Sequence, residues 1–297
     1  MEAASIAFNE RLRFAAVAAV CLTGIAMAAA LPITVQEAYV FAHFVRPPVR
    51  DWLGAFDPAN HVLESLLMKR SVGLLRLSAF SLRVPGLLGL AAYLWAVARL
   101  ASRWLRIAWA IIALAGAAYL GLEYCSPGTG VDLALALWLC AAATRNLNIA
   151  GVCLGLSVAA NFCFLLPALV LAVARLLRTR RFWAWADRVI VTAIVTAFLL
   201  LVLPFSHASA RQLASLLVPP AIEIARSPGD LAGVIAKLRR EARGRNVRIA
   251  ASPDVAPVLE FYQARYREAG WRIVGFRDGA DYDVIQTPGG GAVILAR

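Results

Sequence analysis

The sequence is poor in charge and in lysine, and its cysteines are few and odd in number. Only 16% of the 297 residues are charged, whereas soluble globular domains carry about 25%. Hydrophobic residues make up 61%, which excludes intrinsic disorder and is not typical of a water-soluble protein. Four of the five cysteines stand within apolar runs, so they indicate small core residues and not a disulfide framework or a metal cluster.

Long runs almost free of charge indicate a multi-pass membrane protein. A helix needs about 20 mainly apolar residues to cross a bilayer, and most of the runs approach or exceed that length. One tilted span over the longest run would put the arginines at 175–188 outside, whereas two short helices broken near Asn161 and Pro167 return them to the cytoplasm, so the prediction is about seven membrane segments. The length of the first run favours a retained span over a cleaved signal peptide. The runs lie at 14–36, 77–98, 107–122, 133–144, 146–174 and 189–210.

The positive charge of the chain has a topological explanation. The formal net charge is +12, which in a soluble protein would suggest nucleic-acid binding. Here the arginines cluster on alternate sides of the apolar runs, as the positive-inside rule describes for cytoplasmic loops. The pattern predicts a plasma (inner) membrane protein with a cytoplasmic amino terminus and no nucleic-acid partner. The clusters lie at 11–13, 99–106, 145 and 175–188.

Composition divides the chain into a membrane core and a tail. Residues 1–205 form the predicted core, and 206–297 a small α/β domain on the outer, periplasmic side. Within the core, 34–76 is too long for a simple turn and predicts a structured outer loop with two short interfacial helices. The pattern places the loop helices near 36–44 and 61–75, tail helices at 229–243 and 255–268, and tail strands at 246–251, 271–276, 281–286 and 292–296.

An acid at the exit of the first run is the first candidate site residue. Glu37 follows Gln36 and precedes Tyr39, where the chain leaves the predicted membrane. Two interpretations are open. Glu37 stabilises the first turn of a helix through the helix dipole, or it is a general base that faces the outer loop.

Basic and polar residues of the outer loop form a second set of candidates. An amphipathic helix is predicted to begin after Asp57 and Asn60. It would carry Glu64 beside an apolar face and, at the level of the lipid headgroups, the basic side chains of His61, Lys69 and Arg70. These side chains either neutralise a phosphate or only anchor an interfacial helix. Their spacing does not predict a metal site.

Three further charged residues lie near the outer end of apolar runs. Arg83 stands near the outer end of the second run, where a charge is either functional or reaches out to water. Glu123 and Asp132 stand in the short outer loop before 133–144. They would lie on the same side as Glu37 and are secondary candidates.

The order of four motifs resembles the polytopic GT-C glycosyltransferases. The motifs are acid-Ala-Tyr after the first span, Asn-His-x-Leu…Ser-Leu-Leu-x-Lys, Leu-Arg-x-Pro-x-Leu-Leu-Gly and Leu-Gly-Leu-Ser-x-x-Ala-Asn. More narrowly, the chain is similar to bacterial relatives of the protein O-mannosyltransferases and of the lipid A aminoarabinose transferase. The resemblance covers most of 12–205 and, more loosely, 246–287, where the tail reads Ala-Ser-Pro-x-Val-x-Pro-Val-Leu-x-Phe-Tyr-x-x-Arg-Tyr. It implies a GT-C-like membrane core with two short helices in its first outer loop.

The resemblance also implies a function. Such enzymes move a sugar from a polyprenyl-phosphate carrier to an acceptor hydroxyl on the outer face of the membrane, with inversion at the anomeric carbon. Glu37 would be the base. The lipid-linked sugar is the donor, so no separate cofactor is implied, and a metal requirement stays open. The residues that would bind the substrate or its phosphate are Tyr39, Asn60, His61, Lys69, Arg70 and Arg83.

Two departures from the family pattern leave an alternative open. The family commonly has Asp-Glu where this chain has Gln36 and Glu37, and an amide cannot accept a proton. Relatives often carry an Arg-Tyr pair where this chain has Gly-Val-Asp at 130–132. The alternative is a non-catalytic GT-C-like subunit that binds lipid-linked sugar or partners a complete transferase in the membrane. A small transporter is a third interpretation, which the lack of internal repeats disfavours.

Overall fold

Most of the chain that the structure describes is helical, with one small sheet near the carboxyl end. The computed structural model describes residues 2–53, 60–104, 130–144, 146–178, 192–193, 196, 231–242, 245–253, 255–275, 280–286 and 292–296. The helices are α1 (Glu2–Ala30), α2 (Val35–Val40), α3 (Val49–Leu53), α4 (Val62–Leu75), α5 (Ala79–Trp104), α6 (Val131–Ala143), α7 (Leu147–Ala160), α8 (Leu165–Arg178), α9 (Leu231–Glu241) and α10 (Ala256–Tyr266). The strands are β1 (Val247–Ala251), β2 (Trp271–Val274), β3 (Tyr282–Gln286) and β4 (Ala292–Ala296).

Length and composition single out α5 as a candidate membrane span. Among the described residues, its stretch Ala79–Leu100 is the one continuous helix long and apolar enough to cross a bilayer. A second candidate combines Phe14–Ala30 with Val35–Val45, and these two parts are bent by 73°. The run 107–122 and almost all of 189–210 lie outside the described residues. The described residues thus contain one candidate span, or two, and do not show the predicted seven.

The apolar runs 133–144 and 146–174 form the shorter helices α6, α7 and α8. Helix α7 ends before Asn161, whose extended backbone leaves the helix and whose side-chain oxygen accepts the N–H of Cys163 at 3.0 Å. A 3₁₀ turn, Phe162–Phe164, then leads into α8. The break predicted near Asn161 and Pro167 is therefore found at Asn161. Pro167 lies in the first turn of α8, where a backbone N–H has no acceptor within the helix. Proline therefore removes no helical hydrogen bond at this position.

Glycines allow α1, α5 and α6 to approach one another closely. A Cβ at Gly89 of α5 would lie 3.3 Å from the Cα of Leu133 in α6. A Cβ at Gly24 of α1 would lie 2.8 Å from the Cδ2 of Leu90 in α5. Small residues that bring backbones together are typical of helix contacts in membranes. Helix α5 therefore packs against both neighbours and holds Arg83 beside the end of α1.

The segment 34–76, which we call the outer loop after its predicted position, begins with a capping box. The Thr34 side chain accepts the N–H of Glu37 at 3.2 Å, while Oε2 of Glu37 accepts the N–H of Thr34 at 2.7 Å. Helix α2 starts from this cap and continues into a π-helical turn, Phe41–Val45. The two loop helices predicted near 36–44 and 61–75 are present as α2 with its π-helical turn and as α4.

The tail, 231–296, contains a four-stranded sheet with two helices. The strand order is β2-β1-β3-β4, in which β1 runs parallel to β2 and β3, and β3 runs antiparallel to β4. Strand β1 exposes Arg248 and buries its other four residues. The helices and strands predicted from the tail sequence are confirmed, with ends shifted inward by a residue or two. The turn predicted at 287–291 lies outside the described residues.

The tail packs against the outer loop. One continuous hydrophobic cluster contains Phe41 and Phe44 of the loop together with Phe261 and Tyr262 of α10. Helix α10 contacts both α2 and the π-helical turn. The sequence predicted a separate outer domain, and the structure joins that domain to the loop through a shared core. Burial of these aromatic side chains is the main stabilising contribution at the junction.

Candidate functional site

A buried ion pair joins the outer loop to α5. Oε1 of Glu37 accepts a hydrogen bond from Nε of Arg83 at 2.6 Å, and Oε2 accepts one from Nη2 at 2.8 Å. Both side chains are buried, and Glu37 has 0% of its surface exposed. The two residues were separate candidates in the sequence. The structure brings them together in the two-pronged geometry that makes arginine–carboxylate pairs strong.

Arg83 also fastens the end of α1. Its Nη1 donates to the carbonyl oxygens of Ala28 at 3.0 Å and Leu31 at 2.8 Å, and Nη2 donates to that of Pro32 at 2.7 Å. With the two bonds to Glu37, all five guanidinium N–H groups have partners. A cation is stabilised at this position by the negative end of the helix dipole. In this arrangement Arg83 is neither extended to water nor open to a lipid phosphate.

The hydrogen bonds of Glu37 limit what its carboxylate can do. A carboxylate offers about four lone-pair positions, and Arg83 and the N–H of Thr34 occupy three of them. The remaining position belongs to Oε1. A general base must come within hydrogen-bond distance of the proton that it takes. An acceptor hydroxyl therefore reaches Oε1 only when a covering group moves. The first-turn interpretation of Glu37 is confirmed by the capping box.

Lys69 closes the π-helical turn of the outer loop. Its Nζ donates to the carbonyl oxygens of Val45 at 2.6 Å and Pro47 at 2.5 Å. These carbonyls lie at the end of the turn, where a cation and a donor are both stabilising. One of its three N–H groups remains for a ligand. The next residue, Arg70, is exposed on α4. The basic side chain of this predicted set that is open to solvent is therefore Arg70.

The polar candidates of the loop have different surroundings. The ring of Tyr39 stacks on His43 with 4.0 Å between centroids. Asn60 is buried, and its Oδ1 accepts from Oγ of Ser65 at 3.4 Å. His61 precedes the first turn of α4 and is half-buried. Tyr39 thus lies on α2, two residues after Glu37, whereas Asn60 and His61 lie at the start of α4.

A second buried acidic site lies where α4, α6 and α7 meet. Gly130 caps α6 with φ of 64°, and a Cβ there would lie 2.2 Å from the carbonyl oxygen of Ala160 and 3.1 Å from Oε2 of Glu64. Asp132 is buried in the next turn, and its Oδ1 accepts the N–H of Leu133 at 2.8 Å. Its Oδ2 has no hydrogen-bond partner among the described residues. A Cβ at Gly86 would lie 3.0 Å from this oxygen.

Sequence reasoning placed Glu64 on the amphipathic helix but did not select it as a site residue, although a signal was available. Glu64 is 1% exposed within an apolar stretch of α4, and an acid within such a stretch is rarely buried without a partner. Asp132 was a secondary candidate, and it follows by two residues Gly130, the glycine that lies beside Glu64. Asp57 and Glu123 lie outside the described residues. Within the described ranges no group of three or more His, Cys, Asp or Glu side chains could hold a metal ion.

The tail adds contacts to the loop that the sequence did not predict. Nη1 of Arg46 lies 3.8 Å from Oε2 of Glu260, and the ring of Phe41 meets that of Phe261 edge-on at 5.5 Å. Burial raises the pKa of the Tyr262 phenol above its usual value of 10.0. Smaller effects come from Tyr266 and Glu37, which raise this pKa, and from Arg265 and Arg83, which lower it. The phenol therefore lies within electrostatic range of the Glu37–Arg83 pair.

Comparison with known proteins does not indicate a family or a function for the chain. No family model, no curated protein and no solved structure matches the chain. The resemblance to GT-C glycosyltransferases therefore depends on the order of the motifs, and the site depends on the contacts described above.

Proposed function

We propose that the chain is a multi-pass protein of the plasma membrane that transfers a sugar from a polyprenyl-phosphate carrier to an acceptor hydroxyl on the outer face. The observation that carries the proposal is the Glu37–Arg83 pair, which holds an acid at the junction of α1, α2 and α5. The proposal includes a GT-C-like core of about seven membrane segments, with the amino terminus in the cytoplasm and the tail in the periplasm.

The proposed reaction is a single displacement. Oε1 of Glu37 takes the proton of the acceptor hydroxyl, and the hydroxyl oxygen bonds to the anomeric carbon on the face opposite the carrier. The bond from that carbon to the phosphate oxygen breaks, and its electron pair leaves with the lipid phosphate. Lys69 and Arg70, with His61, would stabilise the charge on the departing phosphate.

We assign different tasks to the predicted basic residues. Arg83 has all of its N–H groups in use, so we assign it to orient Glu37 and not to bind phosphate. Arg70 is exposed and Lys69 retains one N–H, so these two are the better phosphate ligands. Gln36 stands at the position that is acidic in the family, and its amide can position an acceptor without taking its proton.

One observation favours the non-catalytic alternative. Glu37 has no exposed surface, and most of its lone pairs are in use. In a subunit that only binds lipid-linked sugar or partners a complete transferase, the pair would serve to fasten the loop to α5. Binding of the donor without release of sugar is the behaviour that separates this alternative from the transferase.

The test uses the full chain in detergent with a panel of radiolabelled polyprenyl-phosphate sugars. Donor binding and sugar release are scored separately for the wild type, Glu37→Gln and the control Glu241→Gln, an acid at the end of α9. For a transferase we expect Glu37→Gln to lower release about 10²–10⁴-fold with donor binding retained, and the control to match the wild type. Binding without release in the wild type would assign the chain to the non-catalytic class. No binding in any sample would refute both functions.

A further inference from the structure

Helix α10 of the tail covers the outer loop beside the proposed base. Two consecutive residues of α10 reach the loop: Glu260 faces Arg46, and Phe261 meets Phe41. Tyr262 is itself buried, and it belongs to the same hydrophobic cluster as the π-helical turn. The tail is thus part of the wall around the Glu37 site.

The contacts at this junction differ in strength. The Arg46–Glu260 pair is 3.8 Å long, and its side chains are 54% and 38% exposed, so it contributes little binding free energy. The aromatic contacts beneath it are buried and contribute more. Helix α10 also packs on β2 within the tail, and its residues Val258 and Leu259 are buried. Separation of α10 from the loop would therefore break the aromatic part of the shared cluster and leave its contacts with β2 in place.

Access to the base requires such a separation. Glu37 has 0% of its surface exposed, and α10 contacts α2, the helix that carries Glu37. The other groups around the carboxylate, Arg83 and the cap of α2, hold it by hydrogen bonds and belong to the site itself. Among the described elements, α10 and the π-helical turn pack most extensively on α2, and of these two α10 is the one that belongs to the tail.

We propose that α10 is a lid over the Glu37 site, which opens when the Glu260–Tyr262 face separates from α2 and the π-helical turn. The lid admits the acceptor hydroxyl to Oε1 and, when closed, keeps water from that oxygen. This proposal deepens the proposed function, because it depends on Glu37 as the base for its consequence in sugar transfer. The covering of Glu37 by α10 can be tested without any transfer.

The test measures how readily Glu37 reacts in the full chain. A water-soluble carbodiimide with a small amine labels accessible carboxylates, and peptide mass spectrometry compares Glu37 with Asp51, an exposed acid of the same loop that serves as the internal standard. The variant Glu260→Arg places two arginines against each other. The double variant Arg46→Glu/Glu260→Arg restores opposite charges in reverse order. Both positions are exposed, so neither variant is expected to unfold the tail.

We expect Glu260→Arg to raise the labelling of Glu37 about two- to tenfold relative to Asp51, and the double variant to return it to the wild-type level. If sugar release rises with labelling, the lid controls turnover. If labelling rises in Glu260→Arg and returns in the double variant but no sample releases sugar, the lid is supported and the transferase is refuted. Labelling of Glu37 that is unchanged in Glu260→Arg, or equally raised in the double variant, would overturn the lid whatever happens to sugar release.

Discussion

Replacing Arg83 by methionine is expected to lower the free energy of unfolding by about 4–6 kcal/mol. The larger part, about 3–5 kcal/mol, comes from the Glu37 carboxylate, which would remain buried without its countercharge. A further amount of about 1 kcal/mol comes from the carbonyl of Ala28, whose bond to Arg83 is buried. The carbonyls of Leu31 and Pro32 are partly buried, and water can replace their lost bonds.

The double variant Glu37→Met/Arg83→Met separates two contributions to the free energy of unfolding, that of the unpaired charge and that of side-chain packing. Removing both charges relieves the unpaired carboxylate, so the double variant should be more stable than Arg83→Met alone, by about 2 kcal/mol or more. The control is Arg50→Met, which breaks an ion pair with Asp51 whose side chains are 86% and 52% exposed. We expect the control to change the free energy of unfolding by less than about 0.5 kcal/mol.

The assay is a urea titration of the detergent-solubilised chain followed by tryptophan fluorescence. It compares the wild type, the two single variants and the double variant at one detergent concentration. The reasoning is refuted if Arg83→Met loses less than about 1 kcal/mol, or if the losses of Glu37→Met and Arg83→Met simply add in the double variant. Either result would mean that the pair is hydrated or open in the working protein.

Three further predictions concern single positions. Asp132→Asn should raise the free energy of unfolding by about 1–3 kcal/mol, because it removes the negative charge of a buried carboxylate whose Oδ2 has no hydrogen-bond partner among the described residues; a lower stability in thermal unfolding would show that the charge of Asp132 is compensated. Gly130→Ala should cost at least about 2 kcal/mol because of the positive φ and the contact with the carbonyl of Ala160, whereas Gly73→Ala, whose Cβ meets nothing within 4 Å, should not destabilise α4. Burial raises the pKa of Tyr262 above 10.0, so the closed lid keeps its phenol neutral while an open lid lets it ionise. Closure is therefore fully stable below about pH 10 and weakens as the pH rises beyond it, and amide hydrogen exchange in α2 should show this dependence in the wild type and less of it in Tyr262→Phe.

The tail shows how much local pattern can predict. Short apolar stretches and the breaks between them were enough to place its strands and helices, because those signals are confined to a few neighbouring residues. The docking of the tail on the loop was not predictable in this way. Phe41 and Phe261 are far apart in the sequence, and each alone is an ordinary core residue.

The sequence predicted which residues belong to the candidate site but not which of them contact one another. Thr34 and Glu37 have the spacing of a capping box, which makes the first turn of α2 readable from the sequence. Nothing in the local pattern of Arg83 indicates that its donors turn towards the end of α1 and Glu37, since that depends on how α5 packs. For the same reason Lys69, predicted as a phosphate ligand, was not expected to close the π-helical turn.

The long-range hydrogen bonds of Arg83 also determine when parts of the chain can fold during synthesis. Glu37 leaves the ribosome 46 residues before Arg83, and the carbonyl of Ala28 leaves it 55 residues before. Until the arginine emerges, the newly made carboxylate has no countercharge and the carbonyls at the end of α1 stay hydrated. The outer loop can therefore reach its final packing only after the start of α5 has been synthesised, because Arg83 of α5 supplies the hydrogen bonds that hold this earlier segment.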